Sequence, residues 1–217
     1  MKPTCQLGRP RAFDLDKALD CALQVFWQKG YEGASLADLT KAMGINRPSL
    51  YAAFGNKEDL FRKVLDRYSS GPAAFVNAAL CEPTARAVVE RLLRQTVDKL
   101  GDPHKPKGCL LVQSALSCGD AANPIRKELI ARRAAGFAAL RKRFKRAITD
   151  GDLPTDSDPA DLARYVVTIS SGMAIQAVGG ATRDELRRVV EIALRAWPET
   201  TARAGLTRDL PALRLAD

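Results

Sequence analysis

The polar residues best suited to bind a charged partner lie close together near the start of the chain. Arg47 carries a planar guanidinium, which can donate two parallel hydrogen bonds to a guanine or contact a phosphate. Lys57 falls at the predicted start of a helix, where its ammonium and the free backbone N–H groups together suit a phosphate. Ser35 lies at a similar position in an earlier helix. These residue types and positions indicate recognition of a polyanion.

The helices that must position these side chains can be read from their start and stop signals. A first helix is predicted from Asp14 or Asp16 to Gly30, a residue type that commonly ends helices. The Ser35 to Asp38 segment matches a capping box and predicts a second helix, which runs to residue 43. The glycine that follows it permits the positive φ of a tight turn.

A third short helix is predicted over 47–54, with Pro48 in its first turn, where a missing N–H costs least. Asn56 then caps a fourth helix over 57–69. Two short helices joined by a turn that contains glycine form a helix-turn-helix. The residues predicted to fill the angle between its helices are Phe26, Leu39, Met43, Ile45, Leu50 and Phe54.

The charge of the whole chain agrees with this interpretation. The 217 residues include 34 Lys and Arg against 25 Asp and Glu, which gives a formal charge of +9 and an isoelectric point near 9.5. Such a charge favours a polyanionic partner. Within a basic arm over 1–13, Arg9 and Arg11 could enter a DNA minor groove beside the helix-turn-helix. The alternative for this arm is a solvated tail.

The run from Phe13 to Tyr68 resembles the DNA-binding domain of TetR/AcrR-type transcription regulators. The matching residues are Gly30, Tyr31, Ser35, Leu36, Gly44, Ile45, Ser49, Leu50, Tyr51, Phe54, Lys57 and Glu58. The resemblance implies an all-α fold, with an N-terminal three-helix helix-turn-helix domain and a C-terminal helical domain for ligand binding and dimerisation. It also implies that Tyr51 touches the sugar–phosphate backbone.

The function implied by the resemblance is that of a repressor, a homodimer that binds double-stranded operator DNA and is released by a small-molecule effector. The residues predicted to contact DNA are Arg9, Arg11, Ser35, Asn46, Arg47, Pro48, Ser49, Tyr51 and Lys57.

Beyond the helix-turn-helix, the sequence predicts helices only. The predicted parts are an arm over 1–13, a DNA-binding domain over 14–70, an effector-binding and dimerisation domain over 71–198 and a loosely ordered tail over 199–217. The later helices are expected at about 73–81, 84–100, 108–118, 123–150, 159–178 and 182–197. The resemblance implies that the last two pair with their symmetry mates, since palindromic half-sites require two recognition helices.

Basic residues dominate the run from Arg126 to Arg146, where nine Lys and Arg accompany one acid, Glu128. The run fits a solvated helix face opposite the acidic loop over 150–161. A second nucleic-acid surface is the alternative.

Cys109 is the residue of the C-terminal half with a specific chemical hypothesis. It precedes an apolar run and lies near Lys105 and Lys107, and a helix start with nearby cations favours the reactive thiolate. The surrounding sequence resembles regulators that sense electrophiles or oxidants through a cysteine, so a redox-sensing repressor is the alternative function. Cys109 could equally be a small apolar residue in the wall of a ligand pocket. Cys118, nine residues on, is the second candidate residue for the effector or redox site, although it is too far along a straight helix to bond with Cys109.

Several other classes are not expected. The five cysteines lack paired metal-ligand spacing and His104 is the single histidine, so the sequence predicts no metal and no cofactor. No base accompanies Cys109, and no phosphate loop or nucleophile elbow occurs, so an enzyme is not expected. No signal peptide or long apolar run is evident, which predicts a cytoplasmic protein without a membrane partner.

Overall fold

The computed structural model describes residues 13–116 and 123–198, and these ranges contain helices, turns and loops but no strand. The helices in them are α1 (Leu15–Gly33), α2 (Leu36–Met43), α3 (Arg47–Phe54), α4 (Lys57–Ser70), α5 (Phe75–Leu80), α6 (Ala85–Leu100), α7 (Leu110–Leu116), α8 (Asn123–Thr149), α9 (Pro159–Val178) and α10 (Arg183–Arg195). The predicted all-α fold is confirmed. In the described part of the chain, no helix is both long and apolar enough to cross a bilayer.

Helix α1 continues beyond its predicted end. Gly30 leaves helical geometry with φ +70° and ψ 178°, but a further turn follows to Gly33. The buried ring of Tyr31, in that turn, stacks almost parallel to Phe26 at 6.3 Å and so ties the turn to the core. Gly30 therefore ends the regular helix where the sequence predicted, and only the further turn to Gly33, which follows the kink, was not predicted.

Helices α5 and α7 begin later than predicted. Residues 71–74 form turns, so the helix expected over 73–81 is reduced to α5. Gly108 has φ +83°, which excludes it from a helix, and α7 therefore starts two residues later. The end expected for that helix, at 118, lies outside the described residues. The bounds of α3, α4, α6, α8 and α9 agree closely with the sequence predictions.

The buried residues form two clusters that divide the molecule. The first is built mainly from α1 to α4, but it also includes Leu110 of α7 and Ile125 and Leu129 of α8. The second lies among α5, α6, α8, α9 and α10, and within it the rings of Phe144 and Trp197 are 5.2 Å apart. The N-terminal cluster is therefore completed by helices of the C-terminal half, which fixes the helix-turn-helix against that half.

Helix α8 contributes to both clusters, and some of its basic residues join it to neighbouring elements. Arg132 pairs with Asp66 of α4 at 2.7 Å, and the Arg143 guanidinium donates to the backbone carbonyls of Glu82 and Pro83. Of the acidic loop, Asp150 pairs with Arg146, as expected from a solvated basic face. The basic residues of α8 that stay exposed are Arg126, Lys127, Arg133, Arg141, Lys142, Lys145 and Arg146.

Candidate DNA-binding surface and ligand cavity

Reciprocal hydrogen bonds fix the start of α2. The Asp38 N–H donates to Ser35 Oγ (3.0 Å), while the Ser35 N–H and hydroxyl donate to Asp38 Oδ2 (3.1 and 2.7 Å). Lys29 of α1 binds the other carboxylate oxygen at 2.7 Å. The Lys29 ammonium, followed by the Ser35 donors, holds the pKa of Asp38 well below its usual range. The predicted helix cap is confirmed, and Ser35 stays exposed at the surface.

The turn between α2 and α3 sets the direction of α3. Gly44 adopts φ +66°, and the Ile45 N–H donates back to the Thr40 carbonyl at 3.1 Å. Asn46 then caps α3, because its Oδ1 accepts the Ser49 N–H at 2.8 Å. The local backbone thus accounts for the conformations of Asn46 and Ser49, and a contact with DNA would be additional to these roles.

Helix α3 has one buried and one exposed face. Leu50 and Phe54 are buried against α1 and α4, whereas Arg47, Pro48 and Tyr51 point outward. Tyr51 keeps 48% of its surface exposed, which is high for a large aromatic residue. Within the described ranges, the side chains of Arg47 and Tyr51 make no hydrogen bond or ion pair. They are spaced one helical turn apart, so both can reach the same groove.

Lys57 begins α4 and is only partly exposed. Its ammonium lies 4.7 Å from the centre of the Tyr31 ring, and burial lowers its pKa, with Glu32 acting in the opposite direction. Asn56 and Asp59 form a second capping box at this helix start. Lys57 is therefore held at the edge of the helix-turn-helix rather than extended into solvent.

Helix α4 is joined to α1 by charge pairs. The Arg67 guanidinium donates two hydrogen bonds to the Asp20 carboxylate, both at 2.8 Å, and a third to Asp16 at 3.2 Å. This contact lowers the pKa of Asp20 and raises that of Arg67. The pair fixes the relative position of α1 and α4, which carry the recognition helix. Arg9 and Arg11, predicted to form the minor-groove arm, lie outside the described residues.

A cavity of about 220 Å³ lies between the two halves of the molecule. Its walls come from α1, from each of α4 to α9 and from the segments before α5 and α7, and they are mainly apolar. The lining residues include Trp27, Tyr68, Phe75, Val76, Leu92, Leu100, Cys109, Val112, Phe137, Leu140 and Ala174. The volume is below the range of about 300–1,000 Å³ that suits drug-sized ligands, so the cavity suits a small apolar molecule.

Two hydrogen bonds join the DNA-binding helices to the loop before α7. Trp27 of α1 donates its indole N–H to the buried Gly108 carbonyl at 3.1 Å, and Tyr68 of α4 donates its hydroxyl to Cys109 Sγ at 3.4 Å. The two rings meet edge to face at 4.9 Å. Burial raises the pKa of Tyr68 well above its usual value, and Cys109 adds to the rise, so Tyr68 stays a neutral donor. All four residues line the cavity.

Gly108 is required by this arrangement. At φ +83° a side chain would be strained, and an added Cβ would collide with Gln113 and with Val178 of α9. The indole donor of Trp27 therefore reaches a carbonyl that only glycine can place there.

The redox alternative for Cys109 is not favoured. Cys109 was predicted to lie in the first turn of a helix, but it precedes α7. It is half-buried, and its sulfur accepts the Tyr68 hydroxyl. Its position matches the other prediction, a small residue in the wall of a cavity. Cys118, the second residue predicted to take part, lies outside the described residues.

An exposed apolar face lies on α9 and α10. Val190, Ala193 and Leu194 of α10, with Trp197 just after it, are buried in the C-terminal core. In contrast, Ile175, Val178, Val189 and Ile192 are 41–59% exposed. The two residues of each helix are three positions apart and so share a face of that helix, and exposed aliphatic side chains grouped in this way commonly mark an interface with another protein.

Sequence reasoning identified Cys109 but not the residues across the cavity from it. Trp27 and Tyr68 fit an ordinary helix core in sequence, and Lys99 and Arg133 fit an ordinary solvated face. No local pattern distinguishes them, because the lining assembles residues from distant parts of the chain.

Comparison with known proteins is consistent with this geometry. The exposed recognition helix on an all-helical body defines a DNA-binding regulator with a helix-turn-helix. Residues 18–64 match the model of bacterial regulatory proteins of the tetR family, and residues 85–193 match a tetracyclin repressor-like C-terminal domain. The chain belongs to the TetR family of transcriptional regulators.

Three relatives cover most of the chain. The transcriptional repressor ComR of Escherichia coli is 37% identical over 88% of this chain and 92% of its own. The regulator CifR, solved as a cysteine mutant with a 26-base-pair operator DNA, is 46% identical with a TM-score of 0.84, covering 88% of this chain and all of that chain. A putative TetR regulator from Rhodococcus sp. RHA1 is 41% identical with a TM-score of 0.59, covering 85% of this chain and 100% of that chain.

Proposed function

We propose that the protein is a transcriptional repressor that binds a palindromic operator as a homodimer and leaves it when a small molecule occupies the central cavity. The observation that carries this proposal is the composition of the cavity wall. Trp27 of α1 and Tyr68 of α4 belong to the core of the helix-turn-helix and also line the cavity. A ligand there contacts the helices that position α3.

The DNA contact is assigned to the outward face of α3 and the helix starts beside it. Arg47 reads a base or a phosphate, Tyr51 contacts the backbone, and Pro48 lies between them on the same face. Ser35 and Lys57 flank that face at the starts of α2 and α4 and contact phosphates. Asn46 and Ser49 contribute through the α3 cap, and Arg9 and Arg11 extend the contact into the minor groove.

The apolar face of α9 and α10 supplies the dimer contact. Ile175, Val178, Val189 and Ile192 are exposed on neighbouring helices, and a second copy related by twofold symmetry would cover them with the same residues. Dimerisation sets the spacing of the two recognition helices, and two half-sites must lie about one helical turn of DNA apart or a multiple of it.

Effector binding acts through the hydrogen bonds next to the cavity. A ligand between Tyr68 and α7 competes with the contacts of Trp27 and Tyr68 to Gly108 and Cys109. A displacement of α1 and α4 changes the separation of the recognition helices in the dimer. The ligand therefore favours a conformation that fits the operator less well.

Selection from a randomised double-stranded DNA library tests the proposal. The purified protein should enrich an inverted repeat whose half-sites lie about 10 base pairs or a multiple apart. The double variant Arg47→Ala, Tyr51→Ala is the matched control and should enrich no sequence. Failure of the unaltered protein to enrich any inverted repeat would overturn the proposal.

A further inference from the structure

The polar groups that line the cavity point to the chemical class of its ligand. Three side-chain donors in the wall are already used. The Thr96 hydroxyl donates to the Leu92 carbonyl, the Ser170 hydroxyl donates to the Val166 carbonyl, and the Trp27 indole donates to Gly108. None of these three donors is free to bind a ligand.

Two cations in the same lining have no partner within the described ranges. Lys99, in the last turn of α6, and Arg133, on α8, line the cavity and make no ion pair or side-chain hydrogen bond there. Arg132, the neighbour of Arg133 in sequence, is fully engaged with Asp66 and Glu128. Unpaired cations beside an apolar cavity attract an anionic group.

No described lining residue is an acid. Two nearby acids are paired elsewhere: Asp98, next to Lys99, pairs with Arg183 of α10, and Asp66 pairs with Arg132. A third cation lies close by, because the Arg164 guanidinium covers the ring of Phe137, a lining residue, at 4.9 Å. Three exposed cations therefore lie in or beside this part of the cavity wall, and its described lining contains no acid.

We propose that the ligand of this cavity is a small hydrophobic carboxylate, with its apolar body among the rings near Trp27 and its carboxylate bound by Arg133 and Lys99. The guanidinium of Arg133 can bind both carboxylate oxygens, and the ammonium of Lys99 provides a second charge. This inference rests on the proposed effector-controlled repression and specifies the head group of its effector.

A matched series of ligands tests the proposal. Octanoate, octanol and octylamine share one chain and differ in the charge of the head group. Binding is followed by the fluorescence of Trp27 in a Trp197→Phe background, where Trp27 is the remaining tryptophan of two. Octanoate should bind about tenfold more tightly than octanol, as expected for one charge-assisted hydrogen bond, and octylamine should bind least. Equal or tighter binding of octanol or octylamine overturns the proposal, as does a lack of binding by octanoate.

Two double variants locate the head group. Lys99→Gln with Arg133→Gln should remove the preference for octanoate over octanol. Arg141→Gln with Lys142→Gln changes the net charge equally at exposed sites outside this lining and should leave the preference intact. An unchanged preference in the first variant, or an equal loss in both, overturns the assignment to Lys99 and Arg133.

A third variant locates the apolar body. A Cβ added to Gly136, in the cavity wall on α8, meets no atom within 4 Å, so Gly136→Phe should fold and fill part of the opening. It should weaken octanoate and octanol alike, and unaltered octanoate binding would place the ligand elsewhere.

An operator-binding assay distinguishes failure of the carboxylate inference from failure of the proposed regulatory function. If a neutral ligand in this cavity releases operator DNA, the regulatory function stands and the carboxylate inference fails. If the protein without ligand enriches no operator, the function itself fails.

Discussion

The recognition helices and the cavity wall are built in different ways. In α2 and α3 each helix start is fixed by a residue one turn away, Ser35 by Asp38 and Asn46 by the Ser49 N–H. The cavity, in contrast, joins residues from Trp27 in α1 to Ala174 in α9. Polar contacts in the first region are short in sequence, whereas the Trp27 hydrogen bond spans 81 residues.

Under the proposed function, this difference would let one molecule keep its DNA-binding surface constant while its ligand site responds. Local caps fix the starts of α2 and α3, and both helices bury apolar side chains in one core with α1 and α4. The position of this four-helix unit depends on long-range contacts through Trp27, Tyr68 and Arg67. Under the proposed function, a ligand at the Trp27 and Tyr68 contacts would move the unit without unfolding it.

The largest expected effect comes from a residue distant from α3, since assembly controls both half-sites. Ile192→Glu on the exposed face of α10 should produce a folded monomer that loses specific operator binding, because one half-site offers too few contacts. Analytical ultracentrifugation and gel shift measure the two effects. Ile130→Glu makes the same change at an exposed isoleucine of α8 and should remain dimeric. A dimeric Ile192→Glu protein with normal DNA affinity would contradict the assigned interface.

Arg47 on α3 should give the next largest effect. Arg47→Ala should weaken operator binding by about 1–3 kcal/mol if the guanidinium reads a guanine, and should relax base preference at one position per half-site. Arg47→Lys keeps the charge but loses the paired N–H donors of the guanidinium. Compared with Arg47→Ala, it should therefore recover affinity more than base preference. Arg141→Ala, an exposed arginine of α8, is the charge control. Fluorescence anisotropy at matched salt measures all three, and equal losses for Arg47→Ala and Arg141→Ala would mean that Arg47 contributes only net charge.

The recognition helices and the cavity wall also differ in how much of each could be predicted from sequence. The bounds of α3, the cap of α2 and the turn at Gly44 were predictable because each depends on neighbours within one turn. The extra turn after Gly30 was not, because it is fixed by stacking of Tyr31 on Phe26 in the assembled core.

The cavity could be predicted only at Cys109. Its helix-start position is a local signal, but the partner of its sulfur, Tyr68, lies 41 residues away and carries no motif. Lys99 and Arg133 resemble solvated cations in sequence, and only the fold places them in one lining.

A smaller effect, on stability, is expected from replacing the buried tryptophan of each core. Both Trp27 and Trp197 are buried, but the Trp27 indole donates to Gly108 whereas the Trp197 indole nitrogen has no partner among the described residues. Trp27→Phe leaves a buried carbonyl unsatisfied, and Trp197→Phe does not. The free energy of unfolding should therefore fall by about 1–3 kcal/mol more for Trp27→Phe, measured by urea denaturation. Equal losses would show that ring volume alone matters and that the hydrogen bond does not link the two halves.

The smallest expected effect is the pH dependence of stability that arises from one capping box in each half of the molecule. Asp38 in α2 and Glu185 in α10 both have pKa values lowered in the folded protein, Asp38 chiefly by Lys29 and Glu185 chiefly by the Thr182 backbone N–H. A carboxylate with a lowered folded pKa stabilises the fold above its unfolded pKa, and that stabilisation is lost as the pH falls towards the folded value.

The loss should begin near the ordinary values, 3.8 for Asp38 and 4.5 for Glu185, so Glu185 responds first on acidification. Asp38→Asn and Glu185→Gln should each be less stable than the unaltered protein at neutral pH, and each difference should shrink below about pH 4. Urea midpoints measured across this range check both. Because Asp38 also binds Lys29 of α1, its variant should show the larger difference at neutral pH, and high salt should reduce that excess. A difference that grows on acidification would reverse the sign of the linkage and contradict the capping roles of both carboxylates.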